Sequence, residues 1–263
     1  MLLAIDIGNT NITLGVHDGQ GWRHHWRIAT AAERMPDEYG LQLRGLLDWA
    51  GVRPEDLEGV SLASVVPPVT AKMMQAVQRY VGHTPFVVRA GVRTGIRIRY
   101  EEPKAVGADR IADAVAVKQQ YGGPACVVDF GTAITFDAIT AEGDYLGGAI
   151  TPGLEVAAEA LFRRTAKLPK VEVRQPPSVV GRNTVQAIQA GLFYGYVALV
   201  EGMVARFRRL LGPEMKVIAT GGYAARFAEA TPVIDIVNPW LTLDGLRWLW
   251  LLNRPKNEAQ SAG

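Results

Sequence analysis

Residues 2–7 read Leu-Leu-Ala-Ile-Asp-Ile, an apolar run with one carboxylate near its end, and Gly8-Asn9-Thr10-Asn11 follows as turn chemistry. Past the turn, Ile12, Leu14 and Val16 recur at every second position, which predicts a β-hairpin with one buried face. A second turn, Asp18-Gly19-Gln20-Gly21, leads into Trp22, His24, Trp26 and Ile28 alternating with Arg23, His25 and Arg27. This alternation predicts a third antiparallel strand, and it sends His24 and His25 to opposite faces, where they cannot share a metal.

The period then changes. Tyr39, Leu43, Leu46, Leu47 and Trp49 fall at spacings of three and four, so residues 37–50 are expected to form an amphipathic helix that stops at Gly51. Residues 60–66 predict a strand, 69–81 a helix and 85–89 another strand. A helix beginning near Gly107 carries Ile111, Ala112, Val115 and Ala116 and ends around Tyr121-Gly122-Gly123-Pro124.

Beyond that break the pattern restarts, with strands expected at residues 125–130, 134–139 and 145–150 and a turn at Gly131-Thr132. A long helix at 184–211, a strand at 216–220, a short helix, a strand at 233–237 and a final helix complete it. The openings align as Ala4-Ile5-Asp6-Ile7-Gly8-Asn9-Thr10 and Val127-Val128-Asp129-Phe130-Gly131-Thr132, the signature of an internal duplication. The expected organisation is α/β with two domains, residues 1–117 and 118–263. The basic, proline-rich residues 163–177 interrupt the second copy and read either as a lid or as a long surface loop.

Composition narrows the classes of function. The 28 Lys and Arg against 26 Asp and Glu leave a formal net charge of +2, without a single-sign run of the kind that forms a nucleic-acid tail. The amino terminus lacks the basic region of an ordinary signal peptide, and no stretch was expected to reach the roughly 18 to 20 apolar residues of a membrane span. The one cysteine, Cys126, lies in an apolar run and reads as a core residue. Neither a His-x-x-x-His pair nor a Gly-x-Ser-x-Gly elbow occurs. These features favour a cytoplasmic protein without nucleic-acid or membrane partners.

The duplicated Asp-x-Gly turns are the first candidates for chemistry. Each sets a carboxylate at the end of a buried strand, before a turn whose backbone N–H groups can meet phosphate oxygens. One such turn is ordinary loop chemistry; two at the same point of a repeated unit point to a nucleotide. Asp6 is then expected to hold Mg²⁺ on ATP phosphates, mainly through water, with Thr10, Asn11 and Thr13 as side-chain donors beside it. Thr220-Gly221-Gly222, at the end of a strand, reads either as a helix-entry turn or as a corner bare enough for adenine. Gly107-Ala108-Asp109-Arg110 opens a helix, where an aspartate also complements the helix dipole.

Two units of this strand order, each with its Asp-x-Gly turn, resemble the superfamily shared by actin, sugar kinases and heat-shock ATPases. That implies two tandem ribonuclease-H-like, actin-like ATPase domains, each a mixed sheet of βββαβαβα type, with the nucleotide in the interdomain cleft. More specifically, Asp6-Ile7-Gly8-Asn9-Thr10-Asn11, Tyr100-Glu101-Glu102-Pro103 leading to Gly107-Ala108-Asp109-Arg110, Asp129-Phe130-Gly131-Thr132-Ala133, Gly147-Gly148-Ala149-Ile150-Thr151-Pro152-Gly153 and Gly181-Arg182-Asn183-Thr184 are similar, in order, to the motifs of type III pantothenate kinases. The match runs from Asp6 to about Gly222.

The resemblance implies ATP-dependent phosphorylation of pantothenate to 4′-phosphopantothenate, the first step of coenzyme A biosynthesis. It implies ATP contacts from Asp6, Ile7, Gly8, Asn9, Thr10, Asn11, Ile12, Thr13 and Thr132. Asp109 is implied as the base for the pantothenate hydroxyl, with Tyr100, Gly107, Ala108, Arg110 and Thr184 binding the substrate. Asp129 is implied to bind a monovalent cation, K⁺ or NH₄⁺. Thr184 is implied to reach the neighbouring subunit's substrate, hence a homodimer with a shared site; its other reading is the amino-terminal cap of the 184–211 helix. The competing readings are another small-molecule kinase of the superfamily and a non-catalytic accessory factor connected with transcription.

Overall fold

The computed structural model describes residues 1–254. The last nine residues of the expected second domain, 255–263, lie outside the described residues. The chain forms two compact units.

The first unit comprises Met1–Arg97, Glu101–Gln120 and the segment from Leu241 onward. Its sheet is built from β1 (Leu2–Ile7), β2 (Asn11–His17), β3 (Trp22–Ala29), β4 (Gly59–Ser64) and β5 (Phe86–Val87), in the order β3-β2-β1-β4-β5. β1 is antiparallel to β2 and parallel to β4. Leu3, Ile5 and Ile7 alternate into an apolar cluster with Leu14, with Tyr39, Leu43 and Leu47 of α1 (Pro36–Trp49) and with Val69 and Met73 of α2 (Pro67–Ala76). The helix expected over 69–81 is α2 followed by a π-helical turn, Val77–Val81.

The opposite sheet face is covered by α3 (Ala108–Gln120) and by the last helix, which runs Leu241–Asn253. With both faces covered, β1 reads as a nearly continuous apolar run. This corrects the expected domain division. The final helix, assigned from its place in sequence to the second domain, buries Leu241, Leu243, Leu246 and Leu249 within the first unit. The Ser61 hydroxyl donates to the Leu246 carbonyl at 3.0 Å, and the Trp22 indole donates to Asp244 at 2.8 Å. Position along the chain does not say which sheet an amphipathic helix will cover.

The second unit comprises Ile98–Tyr100 and Tyr121–Trp240. β6 (Ala125–Phe130), β7 (Ala133–Ile139), β8 (Tyr145–Pro152), β9 (Lys216–Gly221) and β10 (Ile236–Val237) form a sheet of order β8-β7-β6-β9-β10, the strand order of the first sheet. Register repeats as well: Asp6 pairs across with Thr13, and Asp129 with Thr135. One feature departs from the expectation: a helix, α4 (Leu154–Arg164), follows β8 and takes in Arg163 and Arg164 of the stretch read as a lid or loop, while residues 165–183 form neither helix nor strand. That stretch is nonetheless anchored, because Val171 and Val173 enter the core and Tyr194 donates to the Pro176 carbonyl at 3.0 Å.

α5 (Thr184–Leu211) packs Leu192, Phe193, Val197, Val200 and Val204 into the same core as Val128, Phe130 and Phe136. Contrary to the expectation that no stretch would qualify, α5 is long and apolar enough to cross a membrane. Its apolar side is spent on the core of this unit, which is what a hydrophobic central helix does in a layered α/β fold. α6 (Ala224–Ala230) follows β9, and the Leu241–Asn253 helix of the first unit is α7.

Candidate active site

In the first unit, Asp6 is the half-buried penultimate residue of β1, on the sheet face opposite Ile5 and Ile7. The hairpin beyond it closes when the Gly8 amide donates to the Asn11 carbonyl at 3.0 Å. Thr30 secures the loop from the side, donating through its hydroxyl to the Gly8 carbonyl at 2.7 Å and through its amide to the Thr10 carbonyl at 2.9 Å. The Gly8 amide is committed to the turn, whereas Asn9, Thr10 and Asn11 are exposed and Thr13 is half-buried, so these are the polar groups an anion could reach. The Ile7 and Ile12 side chains are fully buried and anchor the loop, so only their backbone can face a ligand.

Asp109 lies in the first turn of α3. Its Oδ1 accepts from the Arg110 amide at 2.8 Å, which holds the negative charge at the positive end of the helix. A Cβ at Gly107 would stand 2.3 Å from that oxygen, so the residue before the helix must be glycine for the carboxylate to keep this position. Gly107 also approaches Val65, and the Val65 amide donates to the Ile7 carbonyl at 3.1 Å. Through these contacts the start of α3 is placed beside the end of β1.

In the second unit, Asp129 is half-buried near the end of β6 and neighbours Thr220 on β9. The Gly131 amide donates to the Ala133 carbonyl at 3.0 Å and closes a turn one residue shorter than that in the first copy. Two glycines press on it from neighbouring elements. Gly221 has φ +89°, and a Cβ there would lie 2.4 Å from Asp129 Oδ1; one at Gly153 would lie 2.4 Å from the Gly131 carbonyl. Gly153 donates to the Thr132 carbonyl at 2.9 Å, and Gly222 to the Phe130 carbonyl at 3.1 Å. Thr132 is exposed at the rim.

The remaining residues fall in both units. Tyr100 belongs to the second unit, whereas Gly107, Ala108, Asp109 and Arg110 belong to the first. Thr184 is the exposed first residue of α5, and the cap is its neighbour: Asn183 Oδ1 accepts from the Gln186 amide at 2.9 Å. The capping role considered for Thr184 is therefore taken by Asn183. Among the described residues no three His, Cys, Asp or Glu side chains converge into a metal cage. A cation at Asp6 or Asp129 would draw its other ligands from water, backbone and phosphate oxygens, which suits ions that keep part of their hydration.

The family model described as type III pantothenate kinase matches residues 2–206 of this chain. A type III pantothenate kinase of Moorella thermoacetica is 50% identical over 253 residues, covering 96% of this chain and 100% of that protein. One from an Exiguobacterium species is 50% identical over 254 residues, covering 97% and 100%. The chain belongs to the type III pantothenate kinase family.

Solved structures add the fold. A Campylobacter jejuni protein assigned to the Baf family of transcriptional activators superposes with a TM-score of 0.57 at 19% identity, covering 95% of this chain and 97% of that one. A polyphosphate/ATP-glucomannokinase of Arthrobacter gives 0.50 at 16% identity, covering 95% and 98%. At such identities the likeness establishes the two-sheet α/β architecture of the actin-like ATPase and sugar kinase folds, and nothing finer.

Within this family member, the sequence reading passed over several residues that build the second turn. Thr135 follows from the duplication, since it occupies the place of Thr13 opposite the carboxylate. Glu155 and Tyr223 carry no local signal. The Tyr223 hydroxyl donates to Glu155, joining the start of α4 to the corner after Gly222, and burial followed by that bond pushes the phenol's pKa well up. The Tyr196 hydroxyl donates to the Pro152 carbonyl at 2.8 Å and steadies the same corner.

Proposed function

We propose that this chain, as a type III pantothenate kinase, uses ATP to phosphorylate pantothenate to 4′-phosphopantothenate, opening coenzyme A biosynthesis. Membership of the family over nearly the whole length carries this reading. The first unit supplies Asp6 for Mg²⁺ on the phosphates, the 7–13 hairpin for ATP, and Asp109 for the acceptor. Phosphoryl transfer passes through a loose transition state, so positioning and charge neutralisation supply most of the catalysis. A carboxylate fixed beside the substrate hydroxyl needs only to take its proton late, as the bond to phosphorus forms. Arg110, with Gly107 and Ala108, binds the anionic end of pantothenate.

Thr132 contacts ATP, Asp129 binds a monovalent cation, K⁺ or NH₄⁺, and Tyr100 lines the pantothenate pocket. Thr184 serves the substrate of a second subunit in a homodimer, and the protein is cytoplasmic. Support for Asp129 as the cation residue comes from its surroundings, where Gly131 and Gly221 approach the carboxylate without side chains. Support for an intersubunit Thr184 comes from its exposure and from the cap being provided by Asn183.

The test measures ADP release with and without pantothenate, in K⁺ and in Na⁺, with the product identified by mass. ATP turnover indifferent to pantothenate would sink the assignment. For the shared site, co-expressed Asp109→Asn and Thr184→Val chains, isolated as doubly tagged heterodimers, should recover activity in the one site that carries neither change. An inactive heterodimer, or an active monomer in sedimentation, refutes that part alone.

A further inference from the structure

The second sheet contains a carboxylate for which neither the fold nor the reaction as described so far accounts. Asp137, on β7, has no exposed surface. Its Oδ1 accepts from the Tyr145 hydroxyl at 2.8 Å and its Oδ2 from the Thr135 hydroxyl at 3.0 Å. Burying a carboxylate is costly unless such bonds compensate it, so a carboxylate that serves only packing is poorly explained. The duplication shows that the architecture does not require one. The equivalent position on β2 is Gly15, which pairs across with Ala4 as Asp137 pairs with Val127. There Leu243 and Trp22 fill the space, each within 2.8 Å of where a Cβ would stand.

What Asp137 holds is the support of Tyr100. The fully buried Tyr145 ring lies 6.4 Å from the Tyr100 ring at 45°. Tyr100 also rests on Gly147, whose φ is +115° and whose missing Cβ would come within 3.1 Å of the ring edge. The segment carrying Tyr100 is fastened to the same strand: the Arg99 amide donates to the Tyr145 carbonyl at 2.8 Å, and the Arg99 guanidinium pairs with nearly buried Asp144 at 2.8 Å.

We propose that Asp137 is a positioning residue for the acceptor substrate: by fixing the Tyr145 hydroxyl it holds the ring against which Tyr100 is set, and so tunes binding of pantothenate rather than of ATP. This rests on the reading that Tyr100 lines the pantothenate pocket. Asp137 also holds Thr135, directly across from Asp129, so Asp137→Asn disturbs more than Tyr145. Tyr145→Phe is the cleaner variant, since it keeps the ring and removes one oxygen.

The experiment varies pantothenate at saturating ATP for wild type, Tyr145→Phe, Asp137→Asn, Tyr100→Ala and the Tyr100→Ala/Tyr145→Phe pair, with melting temperatures recorded alongside. Tyr145→Phe should raise the pantothenate KM on the order of tenfold while kcat and the ATP KM stay within about twofold. In the double variant Tyr145→Phe should add nothing to Tyr100→Ala, because both act through one ring. If Tyr100→Ala raises KM and Tyr145→Phe does not, or if their effects add, the positioning role is overturned and the Tyr100 reading stands. If Tyr100→Ala itself leaves KM unchanged, the Tyr100 reading fails and takes the proposal with it. A lowered melting temperature with unaltered KM in Tyr145→Phe assigns the network to stability alone, also against the proposal, and the test survives should Asp137→Asn not fold.

Discussion

The two Asp-x-Gly turns are copies of one device that have come to differ in what surrounds them. In both, the carboxylate is the penultimate residue of a strand, a buried residue follows it, and a threonine sits directly across. Around Asp6 the hairpin is one residue longer and carries the polar run Asn9, Thr10 and Asn11, with Ala63 alongside on β4. Around Asp129 the hairpin is tight, Thr220 lies alongside, and Gly221 and Gly153 close in without side chains. Backbone geometry was inherited by both copies, and specialisation was left to the residues on neighbouring elements. A longer polar loop would suit phosphate and a hydrated divalent ion, whereas a tight turn walled by glycines would leave a single carboxylate for an ion of lower charge.

Four perturbations bear on this contrast. The largest effect is expected outside either turn: Asp109→Asn should lower kcat by roughly 10² to 10⁴ and leave ATP affinity nearly unchanged. Steady-state kinetics paired with nucleotide titration checks this, and wild-type turnover would remove Asp109 from its role. Next, the turns should separate by ion. Asp6→Asn should weaken the use of Mg·ATP by about tenfold or more, whereas Asp129→Asn should chiefly abolish K⁺ stimulation. Titrating each variant with Mg²⁺ and K⁺ decides it, and identical responses would mean the copies have not diverged.

The glycines sharpen the comparison further. Gly221→Ala combines a left-handed backbone with a Cβ driven to 2.4 Å from Asp129, and should cost about 1–3 kcal/mol of stability as well as K⁺ response. Gly8→Ala meets only the Asn11 carbonyl at 3.1 Å, with no left-handed φ, and should cost less; chemical denaturation of both variants tests the ranking. The smallest effect concerns a bulge that both copies share, between Val16 and His17 in one and between Ala138 and Ile139 in the other. His17 Nδ1 accepts from the Gly19 amide at 2.9 Å, a bond the imidazolium cannot make.

Burial first, and then Arg247, lower the His17 pKa below its ordinary 6.5, against the opposing pull of Asp18 and Asp244. The folded state therefore binds this proton less readily than the unfolded chain. Its contribution to stability is complete above pH 6.5 and declines as pH falls below it. Denaturant midpoints at pH 7.5 and 5.5, compared with those of His17→Gln, should show a small acid-side loss that the variant lacks. An unchanged pH slope in His17→Gln would assign the dependence elsewhere.

The strands, the duplication and both turns were legible in sequence because they rest on short-range rules. An apolar run marked β1, alternation marked β2 and β3, and the α5 helix was read over its full extent, residues 184–211. α4 was missed because it is short, begins at Gly153 without a capping side chain and runs into a basic stretch. The candidate residues were found wherever a motif placed them together on the chain, as with Asp109 beside Gly107.

Only the tertiary structure decided the rest. It gave α7 to the first unit, joined Tyr100 to the second while leaving Asp109 in the first, and brought Gly221 and Gly153 around the second turn. The physical reason is common to all three. Local pattern fixes how a segment folds and which of its faces is apolar, but many partners can satisfy that face equally well. Which one does is settled by packing between residues far apart in sequence, such as Leu246 on Ser61 and Asp244 on Trp22, and those pairings leave no periodic trace in the chain.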